Sequence, residues 1–195
     1  MNFPAVYLAS TSPRRRELLT QIGVDFLVIN GDVDERMMWQ ESPEHYVRRV
    51  ALAKAMAGWD TLKADWRPVL AADTAVVLET GQVLGKPENP QQAREFLLQL
   101  SAKPHQVLSA VAVVWQQQHW VALQTNEVHF KQLTEAEIDW YLSTGEGVDK
   151  AGGYAVQGLA AMFIKHIRGS YSGVMGLPLF ETSQLLQQVN IANEQ

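Results

Sequence analysis

Two kinds of residue stand out for the chemistry they suit: cations set at turns, and carboxylates set where the chain should be apolar. Ser10-Thr11-Ser12-Pro13-Arg14-Arg15 follows a short apolar run and leads straight into a helix start. It gathers hydroxyls, two guanidiniums, and the unpaired N–H groups and positive dipole end of a helix, a combination that phosphate oxygens favour. The same residues would equally serve as a capped helix with solvated arginines, Arg16 being the one that reads as solvated. The stretch lacks the glycines of a P-loop, so that mechanism is not implied.

Lys54 falls on the apolar stripe of its helix, four residues after Val50 and beside Tyr46, Val47 and Ala51. A lysine there either snorkels to water or is held by a compensating charge. Asp73 interrupts a run from Leu70 to Val77 that should be a buried central strand. A buried carboxylate must be paired, hydrogen-bonded, bound to metal or protonated. The alternative is that Asp73 ends one strand and opens a turn, since strands usually run to about 5–6 residues. Glu35, in Asp32-Val33-Asp34-Glu35, adds an acidic loop, while Lys86 in Gly85-Lys86-Pro87 and Lys150 after Asp149 put single cations in further turns. Cations at several turns around a strand-borne carboxylate suggest a polyphosphate site.

Other chemistries are disfavoured. The chain has no cysteine, which removes disulfides, thiolate metal sites and a cysteine nucleophile, and fits a reducing cytoplasm. The histidines at 45, 105, 119, 129 and 166 show neither HxH nor HExxH spacing, and no G-x-S-x-G elbow occurs. Net charge is −5 with basic residues scattered outside Arg14–Arg16, which argues against a nucleic-acid partner. The six tryptophans are dispersed and read as packing rather than a base-stacking platform. The N-terminus lacks a signal-peptide pattern, and no apolar run approaches the roughly 20 residues that cross a bilayer, so no membrane partner is expected.

The elements that must position these residues alternate. Ala5–Ala9 and Phe26–Ile29 read as strands, separated by a helix opened by Ser12-Pro13 and closed by Gly23. Ser42-Pro43 opens a second helix to about Gly58, and Val69–Leu78 turns at Thr80-Gly81 into a hairpin. Asn89-Pro90 opens a third helix with Ala93, Phe96, Leu97 and Leu100 as its buried stripe. Val107–Val114 and Val121–Phe130 read as paired strands, and Thr134 with Glu137 as the capping box of a helix carrying Ile138, Tyr141 and Leu142. A glycine-rich stretch, Gly145–Gly158, precedes a strand at Met162–Ile167, and a last helix begins near Pro178 with Leu185, Leu186 and Val189 inside. Helices interleaved with strands and hairpins give an α/β chain with a mixed sheet, and 195 residues fit one domain or two closely packed lobes.

The same positions resemble the Maf family of nucleotide pyrophosphatases. The resemblance spans nearly the whole chain, as one domain over 1–195. It rests on Leu8-Ala9-Ser10-Thr11-Ser12-Pro13-Arg14-Arg15, Val33-Asp34-Glu35, Ala53-Lys54-Ala55, Ala72-Asp73-Thr74, Gly85-Lys86-Pro87, Asp149-Lys150-Ala151-Gly152, and Gly169-Ser170-Tyr171 through Gly176-Leu177-Pro178. It implies a mixed twisted sheet flanked by helices, two lobes around a central cleft in an ITPase-like manner, a divalent metal (Mg²⁺ or Mn²⁺), and hydrolysis of a nucleoside triphosphate to monophosphate and pyrophosphate. Ala72-Asp73-Thr74 with Tyr154 and Gln157-Gly158 is similar to the branch acting on dTTP and UTP. By resemblance Asp73 is the proton acceptor, and Arg14, Thr74 and Gln157 tune base selection. Gly153, Ala155 and Gly173 depart from the pattern usual in that branch. Homodimers are common in the family.

On that resemblance Arg14, Arg15, Lys54 and Lys86 are expected to share the triphosphate's charge. Ser10 would bond a phosphate oxygen, Lys150 would assist, and Glu35 and Asp73 would hold the metal. A free aspartate titrates near 3.9, low for a general base, so either burial raises Asp73 or a metal acidifies the water. The Gln157 amide, a donor beside an acceptor, complements the edge shared by uracil and thymine. The competing expectations are a nucleotide-binding regulator of division without turnover, and a modified pyrimidine nucleotide as the true substrate.

Overall fold

The computed structural model describes residues 3–62 and 67–193, so Trp66 lies outside the described residues. Contacts divide the chain into two compact units, one drawn from Met1–Asp73, Ser109–Gln124 and Gly176–Gln195, the other from Thr74–Leu108 and Thr125–Met175.

In the first unit β1 (Val6–Ala9) lies between β2 (Phe26–Ile29) and the start of β3 (Val69–Leu78), parallel to both. Parallel neighbours need a crossover, and α1 (Pro13–Gln21) and α2 (Pro43–Asp60) provide them. Ser42 caps α2 by accepting the His45 N–H at 3.3 Å, with Pro43 at the first position. Ser12 makes no such side-chain cap for α1; its own N–H donates to Ser10 Oγ at 3.2 Å, so the serine pair shapes the turn instead. Gly58 lets α2 press on the sheet: a Cβ there would lie 2.9 Å from Ile29 Cδ1, 3.0 Å from Val69 Cγ1 and 3.1 Å from Ala9 Cβ. That close approach sets the height of α2, and with it the position of Lys54 one turn earlier. The last helix, α6 (Leu179–Asn193), buries Leu185, Leu186 and Val189, as its spacing predicts.

The second unit takes up β3 at Thr74. The strand is continuous through Asp73, all ten residues of it, and does not turn there. It forms a hairpin with β4 (Val83–Leu84) across a turn at Gly81, whose φ of 84° favours glycine. α3 (Pro90–Leu100) is capped by Asn89 and buries the four apolar residues the sequence marks. β5 (Pro104–Trp115) and β6 (Gln118–Phe130), whose Ser109–Gln124 portion belongs to the first unit, are longer than their apolar runs, and α4 (Glu135–Thr144) carries the full Thr134–Glu137 capping box. The glycine-rich stretch contains a 3-10 turn at Ala151–Gly153, and a second follows it at Leu159–Phe163. Met162 and Phe163 therefore lie in a 3-10 turn, and β7 begins only at Ile164 (Ile164–Arg168). A short helix unmarked in the sequence, α5 (Tyr171–Met175), follows. The strand order is β2-β1-β3-β5-β6-β7, with β4 beside β3 and β7 antiparallel to β6, which makes the sheet mixed.

Phe96, Leu97, Leu100, Phe130, Tyr141, Tyr154 and Phe163 form the centre of the second unit's core. His105 is buried among them, with Nε2 2.7 Å from Tyr154 Oη and edge-on contacts to Phe130 and Tyr154. Burial, with a smaller contribution from His129, pushes its pKa down to about 4. The unfolded chain binds that proton near 6.5, so stability is unaffected above this value and declines as pH falls from about 6.5 to about 4. The decline due to this residue is roughly 3 kcal/mol in all. Urea unfolding across that range is expected to show it in the wild type and not in His105→Gln. Equal slopes in the two proteins would assign the acid sensitivity elsewhere.

Candidate active site

The first unit gathers six of the residues the sequence singles out. Lys54 does not snorkel: its Nζ donates to Asp73 Oδ1 at 2.8 Å and sits 2.9 Å from Glu35 Oε1. Lys54 and Asp73 keep only 12% and 7% of their side-chain surface exposed, whereas Glu35 keeps 49%. The pair is thus shielded on one side and open to water on the other. Because both carboxylates reach a single Nζ atom, their oxygens lie within reach of one cation.

Arg15 belongs to the same electrostatic group, attracted by Asp73 and Glu35 and repelled by neighbouring Arg14. Its Nε donates to Gly176 O at 2.8 Å and its Nη1 to Ser10 Oγ at 3.2 Å, which orients the guanidinium. Ser10 Oγ accepts from Ser12 N and from Arg15, so its own proton can be donated to an anion. Arg16 is exposed. Burial raises the Asp73 pKa above the ordinary carboxylate range; Lys54 and then Arg15 pull it down without cancelling that effect, and Glu35 adds to the rise. Burial thus shifts the carboxyl in the direction that favours accepting a proton.

The Glu35 loop is fixed from below. A Cβ on Gly31 would lie 2.8 Å from Ala9 Cβ and 3.0 Å from Lys54 O, so the chain leaving β2 passes directly over α2. Beyond Glu35, Arg49 of α2 binds Glu41 through Nε at 2.6 Å and Nη2 at 2.8 Å, and Nη2 also reaches Arg36 O. Tyr46, read in the sequence only as part of the apolar stripe, also lies within electrostatic reach of the carboxylates. Burial first, then the charges of Asp73 and Glu35, push its phenol up to about 12. Its place eight residues before Lys54, on the same helix face, was the signal available.

The second unit carries Thr74, Lys86, Lys150 and Gln157. Thr74 is half-buried, and Lys86 and Gln157 are exposed. The turns bearing the two lysines are joined: Gly152 N donates to Gly85 O at 3.0 Å, and Gly152, at φ 68°, rests on the Val76 methyls. Lys150 pairs with Asp149. Gly153 sits at φ 72°, a conformation that favours glycine over alanine, and Ala155 and Gly173 are buried.

Residues 5–189 match the family model described as Maf-like protein. A dTTP/UTP pyrophosphatase of Nitrosospira multiformis is 53% identical, with 94% of this chain and 93% of that one covered. Those of Alkalilimnicola ehrlichii and Pseudoalteromonas atlantica are each 50% identical over 96% of this chain, covering 94% and 98% of theirs. The solved structure of the Staphylococcus aureus Ham1 protein overlaps at a TM-score of 0.47 and 15% identity, covering 65% of this chain and 71% of that one. The chain belongs to the Maf family.

Proposed function

We propose that this protein hydrolyses dTTP and UTP at the α–β bond, releasing dTMP or UMP and pyrophosphate. The observation that carries the reading is the buried Asp73 held by Lys54, with Glu35, Arg15 and Ser10 around it. The relatives' shared name supports the substrate. Arg14, Arg15 and Lys54 take the triphosphate's negative charge, with Lys86 and Lys150 as the second unit's cations, and Ser10 donates to a phosphate oxygen. Asp73 accepts a proton from water as the water oxygen bonds to the α-phosphorus; the bond from that phosphorus to the bridging oxygen breaks, and pyrophosphate leaves.

Glu35 and Asp73 suit a hard divalent cation such as Mg²⁺ or Mn²⁺, since two carboxylates converging on one point, with Glu35 half open to water, leave room for phosphate oxygens and waters. When bound, such an ion supplies further charge neutralisation at the phosphate.

The test is incubation with UTP, dTTP, CTP and 7-methyl-GTP in the presence of Mg²⁺, measuring pyrophosphate and orthophosphate separately. Pyrophosphate from UTP and dTTP ahead of the others is expected. Orthophosphate as the first product would mean γ-cleavage, and binding without turnover would favour the regulator. Gln157, with Thr74 and Arg14, is the proposed reader of the base. Gln157→Glu replaces the amide donor with an acceptor, and should cut the UTP:CTP ratio of kcat/KM by about tenfold or more. An unchanged ratio would remove Gln157 from that role.

A further inference from the structure

Gln157 lies in a turn closed by the Gly158 N–H donating to Ala155 O at 3.2 Å. An exposed amide on a short turn can discriminate between bases only if the turn itself is held. Both sides of this turn are tied to one pair, the buried Tyr141 and the half-buried Glu146. Before it, the Ala155 N–H meets the Tyr141 hydroxyl. After it, Leu159 N donates to Glu146 Oε2 at 2.7 Å and Ala160 N to Glu146 Oε1 at 3.3 Å. Tyr141 completes the circuit by donating to Glu146 Oε1 at 3.0 Å. The carboxylate therefore accepts from three protein donors and lies against the turn backbone: a Cβ on Gly158 would come within 2.3 Å of Glu146 Oε2. Tyr141 is 1% exposed within the core, so the anchor is rigid.

From these contacts we infer that Glu146 is a positioning residue for base selection, holding the Ala155–Gly158 turn so that the Gln157 amide is presented in one orientation. The inference rests on the proposed reading of Gln157 as the group that meets the base. Glu146 needs no contact with the nucleotide. Glycine at 158 is required by the same arrangement, because any side chain would displace the carboxylate from the turn.

The experiment measures kcat and KM for UTP, dTTP and CTP in the wild type, Glu146→Gln, Gly158→Ala, Tyr141→Phe and Gln157→Glu, together with hydrogen exchange of the 155–163 amides. Glu146→Gln keeps the shape and loses one acceptor, so the Leu159 or Ala160 amide goes unanswered. The expected result is a fall of about tenfold in the UTP:CTP ratio, carried mainly by KM, with faster exchange at 158–160. Gly158→Ala reaches the same outcome from the other side of the contact, and Tyr141→Phe moves the ratio in the same direction by about threefold. These two carry the comparison if Glu146→Gln does not fold. An unchanged ratio in folded Glu146 and Gly158 variants, while Gln157→Glu shifts it, overturns the inference and leaves the reading of Gln157 standing. A uniform loss on all three nucleotides makes Glu146 structural only and also overturns it. If Gln157→Glu itself leaves the ratio unmoved, the base-reading assignment fails and this inference fails with it.

Discussion

Asp73→Asn is expected to lower kcat for pyrophosphate release from UTP and dTTP by about 10³-fold, within the range typical for loss of a positioned general base. The asparagine fits the same space and can still accept from Lys54, but cannot take the proton of the attacking water. The fold should survive, because Lys54 retains Glu35 at 2.9 Å. Circular dichroism and a thermal midpoint within a few degrees of the wild type would confirm that the loss is chemical. An excess of divalent ion separates the two roles proposed for Asp73: recovery of most of the rate would make it chiefly a metal ligand, and persistent loss would make it the proton acceptor. A variant retaining more than a tenth of the wild-type rate would remove Asp73 from the centre of the reaction.

Lys54→Met should be damaging in two separable ways. It removes the ammonium that joins two carboxylates, one of them 5% exposed, and leaves Asp73 an unpaired buried charge. Removing one partner of such a pair costs about 3 kcal/mol or more, since the remaining charge must be hydrated or neutralised. The activity loss is expected at about 100-fold, from the missing cation at the phosphates and the altered aspartate. The double variant Lys54→Met/Asp73→Asn tests the physical cause. With the Asp73 charge removed along with its lysine partner, it should be more stable than Lys54→Met alone, although less active. Additive destabilisation in urea unfolding would show that the two side chains do not depend on each other.

What the sequence made legible follows the range of the forces involved. Helix starts at Ser42-Pro43, Asn89-Pro90 and Thr134 were readable because a cap is completed within three or four residues. Lys54 and Asp73 were readable as anomalies, each breaking an apolar pattern, but nothing in their spacing said that they meet; the helix height that joins them depends on Gly58 touching three strands. The start of β7 was misplaced because Met162 and Phe163 are apolar enough for a strand, whereas the Glu146 carboxylate holds the amides that open a 3-10 turn. The helix at Tyr171–Met175 is too short to show a period. Nothing in the sequence singles out Glu146, since its backbone partners are amides 13 and 14 residues away, which carry no sequence signature.

The bond from Arg15 Nε to Gly176 O spans 161 residues. During synthesis Arg15 leaves the ribosome 161 residues ahead of its acceptor. The first unit also takes its final helix from that last stretch. A nascent chain can therefore fold β1, α1 and β2 locally while its arginine still lacks the carbonyl that orients it. A chain interrupted before Gly176 would lack that anchor, and its Arg15 guanidinium would be left without the carbonyl that orients it.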